Sequence, residues 1–150
     1  AGRVVIQLRP DLAPNHVARI KELVRRGFYD GLAFHRVIPG FMAQTGDPLG
    51  NGSGGSGHLL KAEFSDAHFV RGAIGMAHSQ DINSGDSQFF IMTGDKPEID
   101  GKYTIWGQVV SGMEYIDALK AGSEDVDEGL FDHPDHIVQM VVAADVEKKP

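Results

Sequence analysis

A chain of 150 residues reads as one domain, 1–150, long enough to remove about two-thirds of its unfolded surface from water. Its net charge of −7, from 14 basic and 21 acidic residues with no basic block, argues against nucleic acid, whose binding rests on phosphate neutralisation. The lack of cysteine excludes disulfides, thiol catalysis and thiolate metal sites, and no apolar run approaches the ~18–20 residues that cross a bilayer. No signal peptide stands at the start, so a cytoplasmic location is expected, or a periplasmic one if such a segment preceded Ala1.

In chain order, residues 3–9 alternate, with Val4, Ile6 and Leu8 on one face and Val5, Gln7 and Arg9 on the other, which predicts a strand. Pro14 suits a first helical position, and Val17, Ile20, Leu23 and Val24 recur at helical spacing until Gly27 ends the helix. Further strands are expected over residues 73–77, 88–93, 103–110 and 136–143. Gly112 precedes a second helix with Met113, Ile116 and Leu119 as its apolar stripe. Many strands and few helices make a mainly β fold, an antiparallel barrel or sandwich; periodicity does not choose between them.

The most informative stretch is residues 34–48, two short extended runs joined by the Pro39-Gly40 turn. Arg36 sits among Phe34, Phe41 and Met42, with the neutral amide Gln44 close by and no carboxylate until Asp47. An unpaired buried charge is costly, so Arg36 reads as an arginine held for something arriving from outside. An arginine on a solvent face, or one paired with a distant carboxylate, fits the spacing equally well.

Residues 34–47 resemble the FHRxIxGFMxQxGD signature of the cyclophilins, the peptidyl-prolyl cis-trans isomerases. A second block, Gly75-Met76-Ala77-His78 through Asn83 to Ser87-Gln88-Phe89-Phe90-Ile91, is similar to that family's GxxxMA…N…SQFFI segment, and the likeness runs from about residue 4 to 142. The resemblance implies a closed eight-stranded antiparallel β-barrel capped by two α-helices, with the working site on its outer wall. It implies an isomerase acting on X-Pro bonds of peptides and unfolded proteins, without cofactor, as a monomer assisting protein folding.

Phe89 and Phe90 are neighbours in a strand and point opposite ways; the resemblance makes Phe90 the pocket residue and Phe89 its inward neighbour. The implied site is an apolar pocket of Phe41, Met42 and Phe90 edged by Arg36 and Gln44, with Ala77, His78 and Gln88 along the groove and Gly52 in a loop at its border. Arg36 is the expected catalytic donor, binding the imide nitrogen as the bond twists. Four positions depart from familiar eukaryotic members: the rim tryptophan, leucine and histidine align with Glu98, Ile99 and Tyr103, and the groove asparagine is His78. Trp106 is expected in the core. Cyclosporin is therefore expected to bind only weakly, and the replacements look bacterial.

Other motifs have plainer readings. Gly52-x-Gly54-x-x-Gly57 matches a dinucleotide fingerprint but lacks the strand before it and the helix after it, so a surface loop is expected. Asp132-His133-Pro134-Asp135-His136 suggests a metal, yet Pro134 breaks the helix that would align ligands, and no metal site is expected. Glu124, Asp125, Asp127 and Glu128 read as a solvated loop, and His35 as a hydrogen-bonded core histidine. A proline-peptide-binding module with little turnover is the competing function, and a barrel binding a nucleotide or sugar a weaker one.

Overall fold

The computed structural model describes residues 2–120 and 134–147, so the metal-like pair Asp132-His133 and the acidic run 124–128 lie outside it. Strand β1 (Val5–Leu8) turns Ile6 and Leu8 inward and leaves Val5 and Gln7 exposed, the predicted period of two. Helix α1 (Pro14–Arg25) buries His16, Val17, Ile20, Leu23 and Val24 along one face. It ends in a Schellman motif: Phe28 N–H bonds Leu23 O, Gly27 N–H bonds Val24 O, and Gly27 takes the left-handed φ of 73°. Its first turn has no local side-chain cap. Glu63 supplies one from 48 residues away, accepting the N–H groups of Asn15 (3.2 Å) and His16 (2.8 Å) and the His16 ring Nδ1 (2.6 Å).

Strands β2 (Arg36–Ile38) and β3 (Met42–Thr45) form the predicted hairpin around Pro39-Gly40, with Gly40 at φ 74°. With β4 (Ala73–Met76), β5 (Phe89–Met92) and β6 (Ile105–Ser111) they build one antiparallel sheet in the order β1-β6-β4-β5-β3-β2. Helices α2 (Met113–Asp117) and α3 (Ala143–Glu147) complete the elements, with a single 3-10 turn at Pro97–Ile99.

Six strands and three α-helices among the described residues differ from the expected eight and two. Residues 136–143, read as a strand, make one bridge, His136 to Ala33, flanked by Phe34 N–H to Asp135 O and Ile137 N–H to Leu32 O. The inward residues there are Ile137, Met140 and Val142, while Val138 and Val141 are exposed, so the segment lacks the strict alternation a ladder needs. From Ala143 the chain is helical.

The sheet buries both faces. Val37, Ala43, Ile74, Met76, Phe89, Ile91 and Trp106 point to the main core, under α1 and Ile116 of α2. The alternate residues Met42, Ala73, Phe90, Met92 and Ile105 form a second cluster on the opposite face, covered by Phe69. Trp106 is fully buried, as expected, and meets Phe89 edge to face at 5.2 Å.

Candidate functional site

The second cluster is where the sequence-predicted residues converge. Antiparallel register sets Arg36 of β2 directly opposite Gln44 of β3, Gln44 opposite Phe90 of β5, and Phe90 opposite Gly75 of β4. A parallel rung places Met42 between Ile38 and Met92. Phe41, Ala77, Ile99 and Tyr103 are half-buried and pack against the same cluster. Arg36 is half-buried and has a partner within the fold, so it is not the unengaged cation that its neighbours in sequence suggest.

Aromatic rings shape the apolar part. Phe90 stacks on Phe69 at 5.6 Å and meets Tyr103 edge to face at 5.4 Å. Tyr103 in turn stacks on His78 at 4.4 Å. His78 is fixed at both nitrogens, Nδ1 to Ser79 O (2.6 Å) and Nε2 to Lys102 O (2.8 Å). An open groove of about 640 Å³ shares His78 and Tyr103 with this wall and adds Phe64, Ile82 and Lys102. At the rim, Lys96 lies 5.1 Å above the Phe41 ring and pairs with Glu98.

Polar groups border the other side. Gln44 Nε2 donates to Gln88 Oε1 (2.9 Å), and Gln88 Nε2 donates to the carbonyls of Gly52 (3.0 Å) and Gly54 (2.8 Å). The glycine stretch is thus a loop, as the sequence suggests, bonded to the site through Gln88. Beneath it His35 is 3% exposed, a core histidine as expected, interacting with the Ala33 backbone and the Gln88 side chain, while its Nδ1 meets no partner among the described residues. Burial pushes its pKa down and keeps the ring neutral, against the opposing pull of Asp47.

A family model described as cyclophilin type peptidyl-prolyl cis-trans isomerase/CLD matches residues 1–142. The chain belongs to that family. A probable peptidyl-prolyl cis-trans isomerase of Brucella suis is 54% identical over 158 aligned positions, covering 97% of this chain and 80% of the relative. Peptidyl-prolyl cis-trans isomerase B of Bacillus subtilis is 42% identical over 123 positions, covering 81% and 85%. Among solved structures, a Cryptosporidium parvum cyclophilin crystallised in the presence of the dipeptide Ala-Pro superposes with a TM-score of 0.85 at 30% identity, covering 94% of this chain and 92% of the other. The cyclophilin AquaCyp293 from Hirschia baltica gives 0.83 at 29%, covering 96% and 71%.

This cyclophilin is therefore a peptidyl-prolyl cis-trans isomerase with bacterial relatives. Two contributors to its wall were not singled out from sequence. Phe69, fully buried beneath Phe90, follows the mostly polar run 65–68 and stands beside exposed Val70, so alternation past residue 68 was the available signal. Asp100 fixes it by accepting Phe69 N–H at 2.7 Å, which, with His68 on the same carboxylate, holds the Asp100 pKa below its usual range. Gly75 leaves the space that the Phe69 and Phe90 rings fill.

Proposed function

We propose that the second cluster is the proline pocket and Arg36 the catalytic donor, acting on X-Pro bonds of peptides and unfolded proteins. The observation that carries this is the cross-strand row Arg36–Gln44–Phe90, which sets a permanent cation and an amide beside an apolar, aromatic-walled cluster. A proline ring is apolar and rigid and suits Phe41, Met42, Phe90, Ile99 and Tyr103. The imide bond resists rotation by ~18–20 kcal/mol because nitrogen lone-pair density is shared with the carbonyl. Twisting returns that density to a pyramidal nitrogen, which becomes an acceptor. A guanidinium over it stabilises the twisted state more than either planar isomer, which lowers the barrier.

No proton is transferred, since arginine stays protonated. A charge-assisted hydrogen bond contributes about 1.5–3 kcal/mol and more in a dry, preorganised site. With the flanking peptide held in place, a total of ~7 kcal/mol, about five decades, is reached without a covalent step. Gln44 holds Arg36 and the substrate carbonyl, Gln88 lines the same wall, and Ala77 and His78 bind the residues before proline. Gly52 lets the peptide backbone approach.

The finer architecture belongs to the same proposal: the pairing of residues 32–34 with 135–137 supports a closed eight-stranded barrel, with the enzyme working as a monomer. Exposed Glu98, in place of a rim indole, supports weak binding of cyclosporin. Cis–trans exchange of a short Ala-Pro-Phe peptide, followed by NMR, tests the site. Exchange accelerated by the enzyme collapses in Arg36→Ala while peptide affinity falls modestly; peptide binding without faster exchange in the wild type would instead make the groove a binding module.

A further inference from the structure

Asp47 is 1% exposed, yet it pairs with no cation among the described residues; its partners there are backbone N–H groups of the loop that follows. Leu49 N–H meets Oδ1 at 2.8 Å, and Asn51 and Gly52 N–H meet Oδ2 at 3.0 and 2.5 Å. Burial alone would raise its pKa, but the amides of Leu49, Gly52, Gly54 and Asn51 outweigh burial and keep the group ionised. Gly52, at φ 94°, and Gly54, where a Cβ would strike the Asp47 carboxylate, let the chain wrap this closely. The outer half of the loop is held separately. Asp86 accepts Ser56 and Gly57 N–H, and Arg19 donates to Ser56 Oγ.

A primary amide has a donor end and an acceptor end, so fixing one end fixes the other. The carbonyls of Gly52 and Gly54 both take the Gln88 NH₂ group, which turns Gln88 Oε1 toward Gln44. Gln44 must then spend its NH₂ on that oxygen, leaving its own carbonyl oxygen as the end presented elsewhere. Its cross-strand neighbour Arg36 offers donors only. Were the loop carbonyls displaced, either amide could rotate by half a turn, and Gln44 would show a donor to a donor.

We propose that Asp47 is a positioning residue for isomerisation: by clamping the loop it sets the direction of the Gln88 and Gln44 amides, so that Gln44 presents an acceptor toward Arg36. This rests on the reading that Arg36 and Gln44 act on the substrate.

A double-mutant cycle on the full chain tests it. Asp47→Asn keeps the size of the side chain but puts an NH₂ among N–H donors. It lowers kcat/KM about 10- to 100-fold, mainly through kcat, the scale on which misplacement of a catalytic group is felt. Gln88→Met, with the Asp47 clamp intact, produces a loss of the same order. In the Gln88→Met background, Asp47→Asn changes kcat/KM by less than about twofold, because the path between them is already cut. The Gln44 side-chain amide gives a readout independent of turnover: its two NMR proton signals are separated in the wild type and collapse toward free-amide positions in Asp47→Asn. Asp30→Asn, which weakens a carboxylate–backbone bond to Met140 elsewhere, controls for stability. Equal losses in both backgrounds, or a lowered melting temperature with kcat/KM and the amide signals unchanged, would overturn the proposal. A wild type inactive on every proline peptide would refute the isomerase site, while the amide signals would still decide whether the relay exists.

Discussion

Gly75 of β4 and Phe90 of β5 face each other across the ladder, and the Phe90 ring occupies the space a side chain at 75 would need. A Cβ at this position would come within 2.5 Å of Phe90 Cζ and 2.7 Å of Phe69 Cε1. Both rings belong to the pocket cluster, so Gly75→Ala must push them apart. Overpacking of this kind costs about 1–3 kcal/mol. The expected outcome is a folded protein whose affinity for a proline peptide falls more than its urea midpoint does. Unchanged affinity in a titration would mean that the Phe69–Phe90 pair is not part of the peptide surface.

Glu98 sits exposed at the rim, bonded to Lys96 above Phe41. Replacing it with an aromatic should extend the apolar wall. Glu98→Trp is expected to tighten cyclosporin binding at least about tenfold, as one well-placed aromatic anchor does. Calorimetric titration checks this; equal affinity in both proteins would show that the residue at position 98 does not govern cyclosporin binding.

Glu63 satisfies two N–H groups at the start of α1 and the buried His16 ring together. Glu63→Ala leaves the N–H and ring Nδ1 of buried His16 without that partner, while the exposed Asn15 N–H can turn to water. A loss of about 1–3 kcal/mol in urea unfolding is expected, the scale for removing a helix cap and the hydrogen bonds that a charged group accepts. Because Glu63 lies outside the pocket cluster, kcat/KM of the folded fraction should hold.

Acid should weaken the fold in two stages. Burial lowers the pKa of His16, against the opposing pull of Glu63, and burial likewise lowers that of His35. Both rings are held neutral while the unfolded chain takes up protons near 6.5. Their contribution is complete above pH ~6.5 and is lost as pH falls through the folded values. Asp47 and Glu63 are also held low, the hydrogen bonds they accept outweighing burial, so a further loss follows below about pH 4.5. Urea midpoints measured from pH 8 to 4 should decline first below about 6.5; a flat profile down to pH 5 would show that the histidines titrate alike in both states.

How much could be read beforehand depended on how far apart the partners lie in the chain. The β2–β3 hairpin and the opposite pointing of Phe89 and Phe90 follow from neighbours a few residues apart, and both stand in the structure. The end of α1 at Gly27 was equally local. The capping of α1 was invisible because Ala13 offers nothing and Glu63 arrives from far along the chain. Asp47 and Gln88 were legible as residues but not as parts of one network, which exists only once β3 and β5 pair. Residues 136–143 misled for a different reason. Their β-branched content resembles a strand, while their buried positions are spaced for a single crossing contact.

Trp106, the only tryptophan in the chain, lies against Phe89 on the far side of the sheet from the pocket. Its fully buried indole, whose Nε1 meets no partner among the described residues, should emit at short wavelength and shift to the red when the chain unfolds. The protein thus carries its own optical gauge of folding, one that a peptide seated on the opposite face leaves unperturbed. Stability and occupancy become separately observable in one cuvette: intrinsic emission follows the first, and a dye on the peptide the second.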